Sequence, residues 1–113
     1  MSDDAPPIAC NPSGIDEDEH DAHREAAEAV FTAIEAVNEV PRGYSFRLPP
    51  SPSVLAAAGT FVARERLCCP FFQFTLEASP DNGPVQLTLT GREGVKEYIE
   101  TSVLPHWNLD ATG

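Results

Sequence analysis

The sequence predicts a small single α+β domain of order α-β-α-β-β-α. Its sheet is expected to be three-stranded and mainly antiparallel, with the helices packed on one face. Three observations lead there. Two stretches repeat apolar residues at spacings of three and four, the period of one helical face. Two short apolar/polar alternations flank a cluster of turn residues, the pattern of a hairpin. A chain of 113 residues has room for one core, at roughly 100–200 residues per domain. The domain is expected over residues 16–104, between an irregular acidic arm (1–15) and a C-terminal tail (105–113).

The arm holds three prolines and no periodicity. It carries Cys10 within Ile8-Ala9-Cys10, a small apolar patch able to dock on the body. The spacing of Ala27, Val30, Phe31, Ile34 and Val37 predicts a first helix over 16–40. Asp16 to Glu19 crowd its first turn, where the helix dipole favours carboxylates. Pro41 and Gly43 stop it. Counting back from Ala27 brings His23 and His20 onto the same stripe. Tyr44, Phe46 and Leu48 alternate with Ser45 and Arg47 in a short strand.

Ser51-Pro52 opens a second helix over 52–69, proline being favoured in the first turn. Its stripe is Val54, Leu55, Ala58, Phe61 and Val62, and its alanines make it thin enough for close packing. Pro70 disfavours helix at Cys69 and so ends it. Phe72, Phe74, Leu76 and Ala78, then Val85, Leu87 and Leu89, form the two arms of a hairpin around Ser79-Pro80-Asp81-Asn82-Gly83-Pro84. Thr90 and Glu93 have the spacing of a capping box for a third helix over 92–104. Val95, Tyr98, Ile99 and Val103 face inward, and Trp107 is the residue able to anchor the tail.

Eighteen acidic side chains stand against seven basic ones, a net charge of −11. Nucleic acid binding wants a basic face, so it is not expected. Adhesion to anionic membranes is disfavoured for the same reason, and no apolar run approaches the ~20 residues of a membrane helix. The acidic start, Met1-Ser2-Asp3-Asp4, does not resemble a secretory signal. Three cysteines, two of them adjacent, do not make a secreted disulfide framework. A reducing cytoplasm is the expected compartment, where thiols serve metal binding, redox chemistry or core packing. There is no phosphate-binding glycine loop, nucleophile elbow or His-Glu-x-x-His.

The informative stretch is Glu65-Arg66-Leu67-Cys68-Cys69-Pro70-Phe71-Phe72. On a helix, Glu65 neighbours Cys68 and Cys69, which follow it by three and four. It also lies on the apolar stripe, four after Phe61, where a carboxylate needs a partner. The candidates are a bound cation, an arginine such as Arg47, or a histidine. Arg64 and Arg66 flank the stripe and reach solvent. The negative end of the helix dipole favours a bound cation over bare thiolates. Sulfur selects soft or borderline ions: Zn(II), Cu(I) or Hg(II). Cys10 is a third candidate sulfur, and His20 and His23 could complete a Cys/His set. Adjacent cysteines depart from the usual zinc spacing; they suit two-coordinate soft ions or a strained vicinal disulfide.

Residues 65–76, with Leu87-Thr88-Leu89-Thr90-Gly91-Arg92-Glu93-Gly94-Val95-Lys96, resemble a family of small bacterial proteins of uncharacterised activity that carry a Glu-Arg-x-Cys-Cys-Pro-Phe motif. Ile8-Ala9-Cys10 and Gly43-Tyr44-Ser45-Phe46-Arg47-Leu48 extend the likeness over residues 8–104. The resemblance implies no activity. Three functions remain open. In the first, Cys68, Cys69 and Cys10, with Glu65 and outer His20 or His23, bind a soft metal ion or small thiophile. In the second, Cys68 and Cys69 form a redox pair, with Glu65 moving the proton and Arg66 and Arg64 nearby. In the third, the cysteines pack as core and the domain is an interaction module, with a homodimer through the hairpin edge or the alanine-rich helix as its candidate assembly.

Overall fold

A computed structural model of the chain describes residues 14–110. Cys10 and nearly all of the expected arm lie outside the described residues. A 3-10 turn at Glu17–Glu19 leads into α1 (His20–Phe31). Then come β1 (Ala36–Val40), β2 (Gly43–Leu48), α2 (Pro52–Cys68), β3 (Gln73–Ala78), β4 (Val85–Thr90) and α3 (Val95–Tyr98). From Ile99 to Val103 the last helix continues as a π-helical turn, in which the Leu104 N–H donates to the Ile99 carbonyl.

The sheet is antiparallel with order β1-β2-β4-β3. It therefore has four strands, not the expected three, and the element order is α-β-β-α-β-β-α. The extra strand comes from the end of the expected first helix, which stops at Phe31 instead of residue 40. Ile34 and Val37 are three apart and fit a helical stripe. Val37 also alternates with Asn38 as a strand residue does, and the ladder to β2 decides between the two. Ala36 pairs Arg47 and Val40 pairs Gly43. Pro41 and Arg42 make the tight turn between them, with Arg42 in the left-handed region at φ 73°. Gly43 is required next: a Cβ there would collide with the Leu89 carbonyl of β4.

The hairpin pairs as expected, with Phe74 opposite Leu89 and Leu76 opposite Leu87, but only β4 is buried on its apolar face: on the edge strand β3, Phe74 is half-buried while Leu76 and Ala78 are exposed. The inner face of β4 continues across β2, where Tyr44, Phe46 and Leu48 oppose Leu89, Leu87 and Val85. All six of these β2 and β4 side chains are buried. Burial of each large apolar side chain here contributes about 1.5–3 kcal/mol. The outward alternates Ser45, Gln86 and Thr88 are joined by hydroxyl and amide hydrogen bonds.

The three helices close over the apolar face. Phe31 of α1 meets Phe46 of the sheet and Phe61 of α2 edge-on, at 5.7 and 5.3 Å between ring centroids. Phe61 in turn meets Phe74 of β3. The Ser51 hydroxyl accepts from the Val54 N–H and Pro52 occupies the first turn, so α2 starts where its cap places it. The third helix departs from expectation. It begins at Val95, after Gly94 at φ 99°, and no side chain caps it. The expected Thr90–Glu93 capping box is absent, because Gly91 packs against the Phe71 carbonyl and Val95 and Gly94 turns the chain before the helix can start. Val95 and Ile99 are buried as expected. Trp107 anchors the tail by stacking on Phe31 at 5.2 Å. No helix among the described residues is long and apolar enough to cross a membrane.

Candidate functional site

The site forms at the C-terminal end of α2, where helical spacing alone gathers Glu65, Cys68 and Cys69. Their ligand atoms lie within 4.8 Å of one another. Both sulfurs are buried and 3.9 Å apart. Pro70 follows, and Cys69 leaves helical geometry at φ −123° while its N–H still donates to the Glu65 carbonyl. The helix thus ends on the two cysteines, with its negative pole beside them.

α1 supplies the next layer. Nε2 of His23 lies 2.8 Å from Oε1 of Glu65, and each side chain is only 15% exposed. The imidazole stacks on Phe61, nearly parallel and 5.6 Å away. An ionised carboxylate only accepts, so Nε2 carries the proton in this pair. Nδ1 is buried and finds no hydrogen-bond partner among the described residues. The histidine therefore fixes the carboxylate beside the sulfurs from a helix 42 residues away in sequence. Of the partners expected for Glu65, it is the histidine that is present. Arg47 instead faces outward from β2 beside Glu35, at 3.5 Å.

α3 contributes Tyr98, which sequence reading assigned only to the core. Burial pushes its hydroxyl above the usual tyrosine range, and the charges of Glu65 and Cys68 push it the same way. Its ring meets Phe71 and Phe72, the residues that follow the cysteines. Nothing in local spacing marks it, because it reaches the site through the packing of α3.

The other expected residues are placed differently. His20 reaches the Ile15 carbonyl at 3.1 Å and is not in the Glu65–Cys68–Cys69 group. Arg64 pairs with Glu19 at 3.1 Å, whereas Arg66 is exposed. Cys10 lies outside the described residues. Cys68 is a thiol and Cys69 is disulfide-bonded. In that state Cys69 offers no thiolate, so the three-donor set exists only after reduction.

The sulfur separation in the disulfide-bonded state is the starting geometry from which the reduced pair would close on an ion. With metal–sulfur bonds of about 2.3 Å, two sulfurs 3.9 Å apart subtend roughly 115° at a shared ion. That angle suits a tetrahedral or trigonal centre. A linear two-coordinate ion needs about 4.6 Å with the same bonds, and the pair would have to open to accept it. Glu65 stands where a third, oxygen ligand would be.

No family model, curated protein or solved structure matches the chain. The likeness of residues 8–104 to the Cys-Cys-Pro-Phe family therefore remains an expectation, and function is argued from the residues alone.

Proposed function

We propose that this domain binds a soft or borderline metal ion, or another thiophile, through Cys68, Cys69 and Glu65 at the end of α2. The observation that carries the reading is the convergence of two buried sulfurs and one carboxylate within 4.8 Å. The negative helix pole supports it by favouring a cation, and the His23 contact supports it by orienting the carboxylate beside the sulfurs. A sulfur–sulfur distance of 3.9 Å, where it is kept on reduction of Cys69, suits a bent centre such as Zn(II), or a three-coordinate thiophile, better than a linear one.

The test is native mass spectrometry of reduced protein with Zn(II), Cu(I) and Hg(II) added in turn. The expected result is a 1:1 adduct that masks Cys68 and Cys69 and vanishes in the Cys68→Ala/Cys69→Ala double variant. Reduced protein with all its thiols reactive and no adduct at micromolar metal would overturn the proposal.

One observation favours a second reading. Cys69 is disulfide-bonded with a thiol sulfur 3.9 Å away. Cys10 is the remaining cysteine of the sequence and is the partner we propose for it. Thiol–disulfide exchange would then run as attack by the Cys68 thiolate on the Cys69 sulfur. A Cys68–Cys69 bond forms, the existing bond breaks and Cys10 leaves as thiolate. Adjacent Cα atoms are about 3.8 Å apart, below the usual disulfide range of about 4.4–6.8 Å, so the vicinal product is strained and easily reduced. Peptide mapping of non-reduced protein tests the pairing.

A further inference from the structure

A cavity of about 150 Å³ lies directly beside the site, and Glu65 lines it. Phe31, Phe61, Phe72, Leu89 and Trp107 supply most of its remaining wall. Ser102 and His106 stand at its exposed rim. Glu65 is thus common to two features: its carboxylate belongs to the sulfur group, and its side chain closes one side of an aromatic chamber. The space opens to solvent at its rim, and its volume is about that of apolar protein cavities that accept a benzene ring. A bare ion has no use for such a space.

We propose that the ligand of this site is an organic thiophile: a soft centre, such as trivalent arsenic, bonded to one small aromatic or branched apolar group. The soft centre is held by Cys68 and Cys69, and the apolar arm fills the chamber between α1, α2 and β4. The proposal rests on the binding reading above and adds the class of ligand. Glu65 is the residue common to the sulfur group and the chamber, and His23 holds its carboxylate.

A thiol or phosphine reductant must first open the Cys69 disulfide, which takes up two electrons; from the reduced pair onward the condensation needs no further oxidant or reductant. A monosubstituted arsenic(III) oxide, R–As=O, condenses with two thiols. Two As–S bonds form, the As–O bonds break, and the oxygen leaves as water with the two thiol protons. The As–C bond stays intact, so the arm remains attached and must be accommodated.

Two probes that share this head isolate the arm: phenylarsine oxide and methylarsine oxide. Protein is reduced with a phosphine, the reductant is removed, and the affinity for each probe is measured by thiol protection. The quenching of Trp107, the only tryptophan and a wall of the chamber, gives an independent readout. The expected result is a roughly tenfold to hundredfold preference for the phenyl compound, the range set by burying one aromatic ring. In Ser102→Phe, which blocks the rim from an exposed position and leaves Trp107 the only indole, that preference should collapse while methyl binding is unchanged. Ala27→Leu fills the chamber from α1 and serves as the second variant. Equal affinity for both probes in the unmodified protein would overturn this inference and leave the binding reading standing. Failure of both probes to protect Cys68 and Cys69 in fully reduced protein would overturn the two together.

Discussion

The β2–β4 face and the C-terminal end of α2 are both buried, but they are built on opposite principles. Along β2 and β4, Tyr44, Phe46, Leu48, Val85, Leu87 and Leu89 occupy a regular pleat and almost every contact is apolar. At the end of α2, a carboxylate, an imidazole and two sulfurs share a space that hydrocarbon could have filled. Burying such groups costs free energy that only their mutual hydrogen bonds, or a ligand, offset. The sheet face is explained by stability alone. At the helix end the Cys69 disulfide and the buried sulfurs also serve stability, but the His23–Glu65 pair beside them does not belong to an apolar core.

Substitutions should separate the two regions. Phe46→Ala empties a fully buried site in the sheet and should cost about 3–5 kcal/mol in urea unfolding. Binding stoichiometry of the molecules that remain folded should not change. A loss of binding in that folded fraction would show that site and sheet are one cooperative unit.

Glu65→Gln should behave in the reverse sense. The amide can still meet His23 but removes the negative charge beside the sulfurs. Metal affinity should fall about tenfold, read by competition with a chromophoric chelator, which corresponds to about 1.4 kcal/mol. Unfolding stability should move by no more than about 1 kcal/mol. A large stability loss with unchanged affinity would return Glu65 to a purely structural role.

The smallest effect concerns the Tyr44 hydroxyl, a polar handle on the sheet face. The Tyr44 ring is buried while its hydroxyl donates to the exposed Glu100 at 2.7 Å. That hydrogen bond, together with burial, pushes the phenol up to about 12. The folded value lies above the ordinary 10, so the protonated form is favoured by folding. Its stabilising contribution is therefore complete below pH 10 and is lost as pH rises towards 12. Thermal unfolding of the unmodified protein should fall more steeply across that window than unfolding of Tyr44→Phe. Parallel curves would show that the hydrogen bond contributes nothing.

The same contrast explains what the sequence made legible. The hairpin of β3 and β4 was readable because period-two alternation and a turn-rich hexapeptide agree locally. So was the start of α2, where Ser51 and Pro52 act within one turn. β1 was not, because Ile34 and Val37 satisfy two periods and pairing with β2 decides between them. In the site, the Glu65–Cys68–Cys69 group followed from helical spacing. Its contact with His23 crosses 42 residues, and Tyr98 arrives on a third element. No local pattern carries either fact, and Arg47 was an equally reasonable partner until β2 turned it outward.

The π-helical turn at Ile99–Val103 carries a consequence for the register of the whole C-terminus. In a regular helix, Ile99 and Leu104 would be out of phase by more than one residue's rotation. Here both are buried, five positions apart and joined carbonyl to N–H. The widened turn behaves as a one-residue insertion absorbed without breaking the helix. Deleting that residue would rotate everything beyond it by about 100°, swinging Trp107 off Phe31 and removing a wall of the chamber beside Glu65. A single codon in a segment remote from the cysteines thus sets the shape of the space next to them.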